Sequence, residues 1–89
     1  MNPEPRILVF DRDFLDDLGY WVVTERKTAR RILELIESIH REPCDGTGKP
    51  EALRHLGPGV WSRRITQEHR LVYRVKDDRI LFAQARYHY

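Results

Sequence analysis

Cysteine is almost absent from the sequence: Cys44 stands alone, so no intrachain disulfide can staple the fold. A lone thiol fits a reducing compartment, and Cys44 is read as a packing residue. Long apolar runs are missing as well. No stretch approaches the ~18 residues that a membrane-spanning helix needs, and Met1-Asn2-Pro3-Glu4-Pro5 has neither the basic start nor the apolar middle of an export signal. The expectation is a soluble, cytoplasmic protein with no membrane contact. Metal-ligand spacing is lacking too. His40, His55, His69 and His88 are scattered and Cys44 has no partner, so no zinc template is present, and neither a metal nor another cofactor is expected. No nucleophile elbow occurs. Gly48-Lys49 hints at a phosphate loop, but Pro43 stands where the first glycine is required and Pro50 where Ser or Thr should hold magnesium.

What is present suits one small domain, residues 1–89. The chain is 40% hydrophobic and 34% charged, enough for a single core and too short for two. Net charge is +2, but it is unevenly spread. Residues 1–25 carry Arg6 and Arg12 against six acidic side chains, whereas residues 26–89 carry fourteen basic against eight acidic. The later part is therefore the polyanion-facing candidate.

Ile7 to Phe10 reads as a strand, and Asp11 or Asp13 can cap a helix after it. That helix places Phe14, Leu18, Trp21 and Val22 on one side. A second helix from Thr24 carries a stripe of Ala29, Ile32, Leu33, Ile36 and Ile39 and stops at Pro43. Residues 42–59 are dense in turn formers and read as a long functional loop. Three strands follow, at Val60–Ile65, His69–Val75 and Arg79–Tyr87, joined by short turns as an antiparallel meander. Trp61 with Ile65, and Leu71 with Tyr73 and Val75, supply core faces; Arg70, Val72 and Arg74 share the opposite face. On the last strand regular alternation sets Ile80, Phe82, Gln84, Arg86 and His88 against Leu81, Ala83, Ala85, Tyr87 and Tyr89. Regular alternation thus leaves His88 and Tyr89 on opposite faces unless the strand ends or bends. The fold class is α+β, two N-terminal helices packed on an antiparallel sheet.

With metal and nucleophile templates missing, the chemistry left is that of acid, base and guanidinium. RNA carries its own nucleophile, the 2′-OH, so its cleavage needs a base, an acid for the leaving 5′-oxygen and cations for the phosphorane. Glu, His and Arg meet those needs, Arg with a planar fork that matches phosphate oxygens in pairs. Taken singly, Glu51 is a solvated loop residue, Arg70 an exposed strand residue and His88 a frayed end. The aromatics Tyr87 and Tyr89 beside His88 argue for packing or base stacking, with Tyr87 turned inward.

Three stretches carry a family resemblance: Gly-Lys-Pro-Glu-Ala-Leu-Arg-His at 48–55, Trp-Ser-Arg-Arg-Ile-Thr-Gln-Glu-His-Arg-Leu-Val-Tyr at 61–73 and Ala-Arg-Tyr-His-Tyr at 85–89. They closely resemble the YoeB toxins of the RelE superfamily. Asp16-Asp17 ahead of Tyr20-Trp21, and Arg41-Glu42-Pro43, extend the likeness forward over nearly the whole chain, apart from about five residues at the start. The resemblance implies a microbial-ribonuclease-like fold and a metal-independent endoribonuclease, an mRNA interferase acting in the A site of the 70S ribosome. It also implies a YefM-type antitoxin and a homodimer joined through its helical part. Position by position, Glu51 matches the general base, Arg70 the phosphate-stabilising arginine, His88 the general acid and Tyr89 the terminal tyrosine. Arg64 matches a second arginine near the phosphate, and Arg54 stands where lysine is more usual. Lys49, Arg74 and Arg86 complete the cations assigned to substrate, and Cys44 replaces an aromatic.

Two other readings compete. A non-catalytic ribosome- or RNA-binding translation blocker would use the same face of Arg64, Arg70 and Arg74. A structural α+β domain would need none of them.

Overall fold

The computed structural model describes residues 5–87; His88 and Tyr89, the expected acid and terminal tyrosine, lie outside the described residues. The elements are β1 (Ile7–Phe10), α1 (Arg12–Thr24), α2 (Arg26–Arg41), β2 (Glu51–Ala52), a single 3-10 turn (Arg54–Leu56), β3 (Val60–Arg64), β4 (Arg70–Val75) and β5 (Arg79–Gln84). The α+β class stands. The five strands form one sheet in the order β1-β5-β4-β3-β2. β2 through β5 are antiparallel, as the meander required, while β1 joins β5 in parallel, from Ile7 beside Arg79 to Phe10 beside Phe82, and makes the sheet mixed. Parallel neighbours need a long crossover. The two helices lie within it.

Asp11 caps α1 by accepting from the Asp13 amide, and Glu25 ends α1 and begins α2, accepting from Lys27 N. The second helix therefore starts at Arg26 rather than Thr24. Both helices pack on the same face of the sheet. Phe14 and Trp21 of α1 and Ala29, Ile32, Leu35, Ile36 and Ile39 of α2 meet Ile65, Leu71, Tyr73, Ile80 and Phe82, with Leu8, Phe10, Leu18, Trp61 and Val75 at the margin. Phe10, Phe14 and Phe82 cluster with ring centroids 4.9–5.5 Å apart. Two stripe assignments fail. Val22 and Leu33 are exposed, and Leu35 is the fully buried leucine of α2. Cys44 is exposed as well, in the turn after α2, so it is not a packing residue.

The segment 42–59 is less irregular than its composition implied, because β2 pairs with β3, setting Glu51 beside Ser62 and Ala52 beside Trp61. What pins it is Arg63. Strict alternation puts this arginine between Trp61 and Ile65 on the helix-facing side, and it is fully buried there. Nε donates to Tyr73 Oη, Nη1 to Ser38 Oγ and the Thr47 carbonyl, and Nη2 to the Glu42 and Asp45 carbonyls. A guanidinium has five N–H donors, and all five are used. The same loop closes over Arg63 at Gly48. Its φ is 88°, and a Cβ there would stand 2.9 Å from Leu35 and 3.2 Å from the Arg63 side chain, so glycine is required twice over.

Burial pushes the Tyr73 phenol above its ordinary value of 10.0, and the hydrogen bond from Arg63 only partly offsets this. The folded chain thus keeps neutral a group that the unfolded chain ionises. Its contribution to stability is complete below pH 10.0 and is lost as pH rises through the higher folded value. The thermal midpoint is expected to fall as pH rises past 10, and to fall less steeply in Tyr73→Phe. Equal slopes in the two proteins would refute the assignment.

Candidate active site

The sheet face turned away from the helices carries the cations. Its side chains follow from the register. One row runs Glu51, Ser62, Val72, Gln84 across β2, β3, β4 and β5. The next, towards the β3–β4 turn, holds Arg64 directly opposite Arg70. On the other side come Val60, Arg74, Leu81 and Val9. Glu51 and Arg64 are exposed, and Arg70 and Arg74 half-buried. Same-face residues on adjacent strands sit about 4.5–8 Å apart. A base, two guanidinium groups and the space between them therefore share one open surface. Like charges directly opposite repel across a strand pair, and an anion between Arg64 and Arg70 reverses that sign.

Arg70 is anchored at one amino group. Nη1 donates to the carbonyls of Thr66 (2.8 Å), Gln67 (3.1 Å) and His69 (3.1 Å), so the guanidinium is fixed over the β3–β4 turn. Lys49 reaches the same corner because the Gly48 carbonyl accepts from Arg64 N at 2.7 Å. Arg54 is exposed on the 3-10 turn, one strand-end away. Arg74 instead lies along Gly57, where its Nη2 would be 2.7 Å from an added Cβ. It also borders an apolar cleft of about 370 Å³ lined by Val9, Leu56, Val60, Val72, Leu81 and Ala83.

The last strand departs from regular alternation. Tyr73 pairs with Phe82 but Val72 with Gln84, so a bulge at Ala83 flips the parity. Gln84 consequently faces the open side with Val72, Ala85 is buried in the core, and the strand ends at Gln84. The strand thus stops three residues short of the expected Tyr87. Arg86 does not join the cationic rows. Its guanidinium carbon lies 3.5 Å from the centroid of Tyr20 and 4.6 Å from that of Tyr87, a stack that occupies its planar faces. Tyr87 does not turn inward but is exposed, and with φ 64° it is one of two non-glycine residues in the left-handed region among the described residues. The other is Lys49, at φ 52°. Such strain persists only where surrounding contacts over-determine it, and it gathers at functional sites.

Among the described residues no group of three or more His, Cys, Asp or Glu stands together as a metal site. No described helix is long and apolar enough to cross a membrane. Reading by residue type missed three groups that shape this corner: Arg63, Asp17 and His69. Arg63 had a signal, since period-2 alternation between Trp61 and Ile65 points it inward. Asp17 and His69 had none, because their partners are backbone groups far away in sequence.

The whole chain has close counterparts. Residues 10–89 match the family described as the YoeB-like toxin of the bacterial type II toxin–antitoxin system. The Toxin YoeB of Mycobacterium bovis is 52% identical over 84 residues, covering 94% of this chain and 99% of that protein. The structure of a YoeB dimer from Staphylococcus aureus superposes with a TM-score of 0.86 at 40% identity, covering 96% and 99% of the two chains. A heterotetrameric YoeB–YefM toxin–antitoxin complex from the same organism gives 0.81 at 41% identity, covering 94% and 98%. A family match over nearly the full length and half-identical relatives agree with the fold: the chain belongs to the YoeB-like toxins of bacterial type II toxin–antitoxin systems.

Proposed function

We propose that this toxin is an endoribonuclease that cuts mRNA in the ribosomal A site and thereby arrests translation. The observation that carries the reading is the convergence of Glu51, Arg64 and Arg70 on one open face, beside the point where the backbone of Tyr87 is tied to Arg70. Arg70 N donates to the Tyr87 carbonyl at 3.0 Å, so His88 is the next residue after that tie. Glu51 takes the proton of the 2′-OH, and the freed oxygen attacks the adjacent phosphorus. Arg70, with Arg64, holds the charge that builds on the phosphorane oxygens. His88 gives a proton to the departing 5′-oxygen, and Tyr89 supports it. The products are a 5′-hydroxyl end and a 2′,3′-cyclic phosphate, which addition of water opens to a 3′-phosphate. Every proton and charge is then handled by a side chain, and the reaction calls for no metal ion. Lys49 and Arg54 lie at the border of the same face and steer the RNA backbone; Arg74 does so from the cleft side. Arg86 serves the substrate indirectly, through the Tyr20–Tyr87 stack.

Partners follow from the same surfaces. An antitoxin of YefM type, as in the staphylococcal complex, is an acidic segment that covers the cationic rows and sets apolar side chains into the cleft of Val60, Val72 and Leu81. Self-association, as in the staphylococcal dimer, uses the helical part, where Leu15, Val22, Val23 and Leu33 are exposed. Ribosome, mRNA, antitoxin and a second copy are thus the expected partners, all in the cytoplasm.

The test is 5′-end mapping of an mRNA with and without translation. The expected result is a set of new 5′-hydroxyl ends inside the coding region that appear only when toxin and translation are both present. Arrested translation with no new ends would replace this reading by the blocking one.

A further inference from the structure

We infer that His69, together with Asp17 and Trp21, is a positioning residue that holds the C-terminal segment at the reaction centre; the inference rests on the ribonuclease reading above. After β5 ends at Gln84 the chain leaves the sheet, yet Ala85, Arg86 and Tyr87 are each held. The two faces of the Ala85 peptide environment are clamped from α1: Asp17 Oδ2 accepts from Ala85 N at 2.9 Å, and Trp21 Nε1 donates to the Ala85 carbonyl at 2.8 Å. The Arg86 guanidinium is stacked against Tyr20, one residue before Trp21 on the same helix. At Tyr87 the hold passes to the β3–β4 turn. Tyr87 N donates to His69 Nδ1 at 2.7 Å, and its carbonyl accepts from Arg70 N at 3.0 Å. The paired aspartates divide: Asp16 makes an exposed surface pair with Arg12 at 3.3 Å, whereas Asp17 reaches 68 residues along the chain.

His69 is built to do this. Its own amide donates to Thr66 Oγ1 at 3.1 Å, and its carbonyl accepts from Ile65 N and Thr66 N. Its ring sits edge-on to Trp21 at 4.8 Å between centroids and 5.5 Å from the Tyr87 ring. The ring thus bridges the helix that clamps Ala85 and the residue that precedes the acid. An Nδ1 that accepts carries no proton, so the neutral ring keeps its hydrogen on Nε2. The acceptor matters because Tyr87 stands at φ 64°, a left-handed conformation that is unfavourable for a non-glycine residue. Without the Nδ1 acceptor the peptide relaxes towards negative φ, and the tie between the Tyr87 carbonyl and Arg70 N loosens. His69 also links the two halves of the site: the carbonyl that accepts from Arg70 Nη1 is its own.

Two variants separate positioning from packing. Phe at 69 keeps the ring and removes the acceptor; Asn keeps an acceptor oxygen near the place of Nδ1 and removes the ring. Each is compared with the unaltered toxin in translation-coupled cleavage and by hydrogen exchange at the Tyr87 amide. His69→Phe is expected to lower kcat by about ten- to a hundredfold with KM little changed, as misplacement of a reacting group does, and to speed exchange at Tyr87. His69→Asn is expected to recover most of both. Slow exchange and full kcat in His69→Phe, or failure of His69→Asn to recover kcat when it restores the amide's protection, would overturn the positioning role. Absence of cleavage by the unaltered toxin in the same assay would overturn the ribonuclease reading and the role with it.

Discussion

Replacing His88 with glutamine is expected to reduce translation-coupled cleavage by roughly 10²- to 10⁴-fold, the usual contribution of a positioned general acid or base. The 5′-oxygen is a poor leaving group unless it is protonated as the bond breaks. Glutamine retains polarity and approximate size but has no proton to transfer. The loss belongs in kcat, because the cations proposed to hold the RNA, Arg64, Arg70 and Lys49, are untouched. Stability and antitoxin binding should be retained, because the change is nearly isosteric and alters no member of the core formed by the described residues. Glu51→Gln offers a comparison on the basic limb of the mechanism, and the double variant should lose little more than either alone if both act in one step. Cleavage by His88→Gln close to the unaltered rate would move the acid elsewhere, with His69, the imidazole of the β3–β4 turn that touches Tyr87, the next to be replaced.

Replacing Arg63 with methionine is expected to cost about 3–5 kcal/mol of stability, the range for removing one member of a buried charged network. A buried ion pair can often be exchanged for apolar residues at little cost, because both charges leave together. That route is closed here. Three of the five acceptors are backbone carbonyls, of Glu42, Asp45 and Thr47, which no substitution at 63 removes. Methionine fills the volume and leaves them, with Ser38 Oγ and Tyr73 Oη, short of a donor. Small domains hold only about 5–15 kcal/mol in all, so a fall in thermal midpoint of more than about 10 °C is expected. Ser38→Ala removes one acceptor alone and should cost nearer 1 kcal/mol, which keeps the account testable if the methionine variant does not fold. A change of under about 1 kcal/mol in Arg63→Met would refute it.

The helices and the meander were legible in the residues because apolar side chains recur there at helical and alternating spacing. The edges of the stripes were not. Leu33 and Leu35 both lie within a helical step of Ile32 and Ile36, and only the position of the sheet decides that Leu35 is buried and Leu33 exposed. β1 in parallel beside β5 was hidden for a related reason: four apolar residues announce a strand but not its neighbour. The bulge at Ala83 was invisible because Leu81, Ala83 and Ala85 are as apolar as Ile80 and Phe82, so residue type does not mark which face each takes. It moved Gln84 to the open face and sent Arg86 to Tyr20. At the site, Glu51, Arg64 and Arg70 were found through resemblance, while residue type alone left each as ordinary surface. The register then brings them onto one face. His69 and Asp17 escaped because a side chain that serves a remote amide leaves no periodic mark.

The parallel pairing of β1 with β5 has a consequence for the order in which the molecule is made. The first strand to be synthesised finds its neighbour only in residues 79–82, after almost every other element has been produced. Contacts so distant along a chain form late and slowly, and synthesis runs from the N-terminus at about 5–20 residues per second. Until β5 appears, the Phe10 ring lacks the Phe82 ring it stacks on, and the face that α1 must cover is incomplete. A growing toxin chain therefore cannot complete this sheet until β5 has been made.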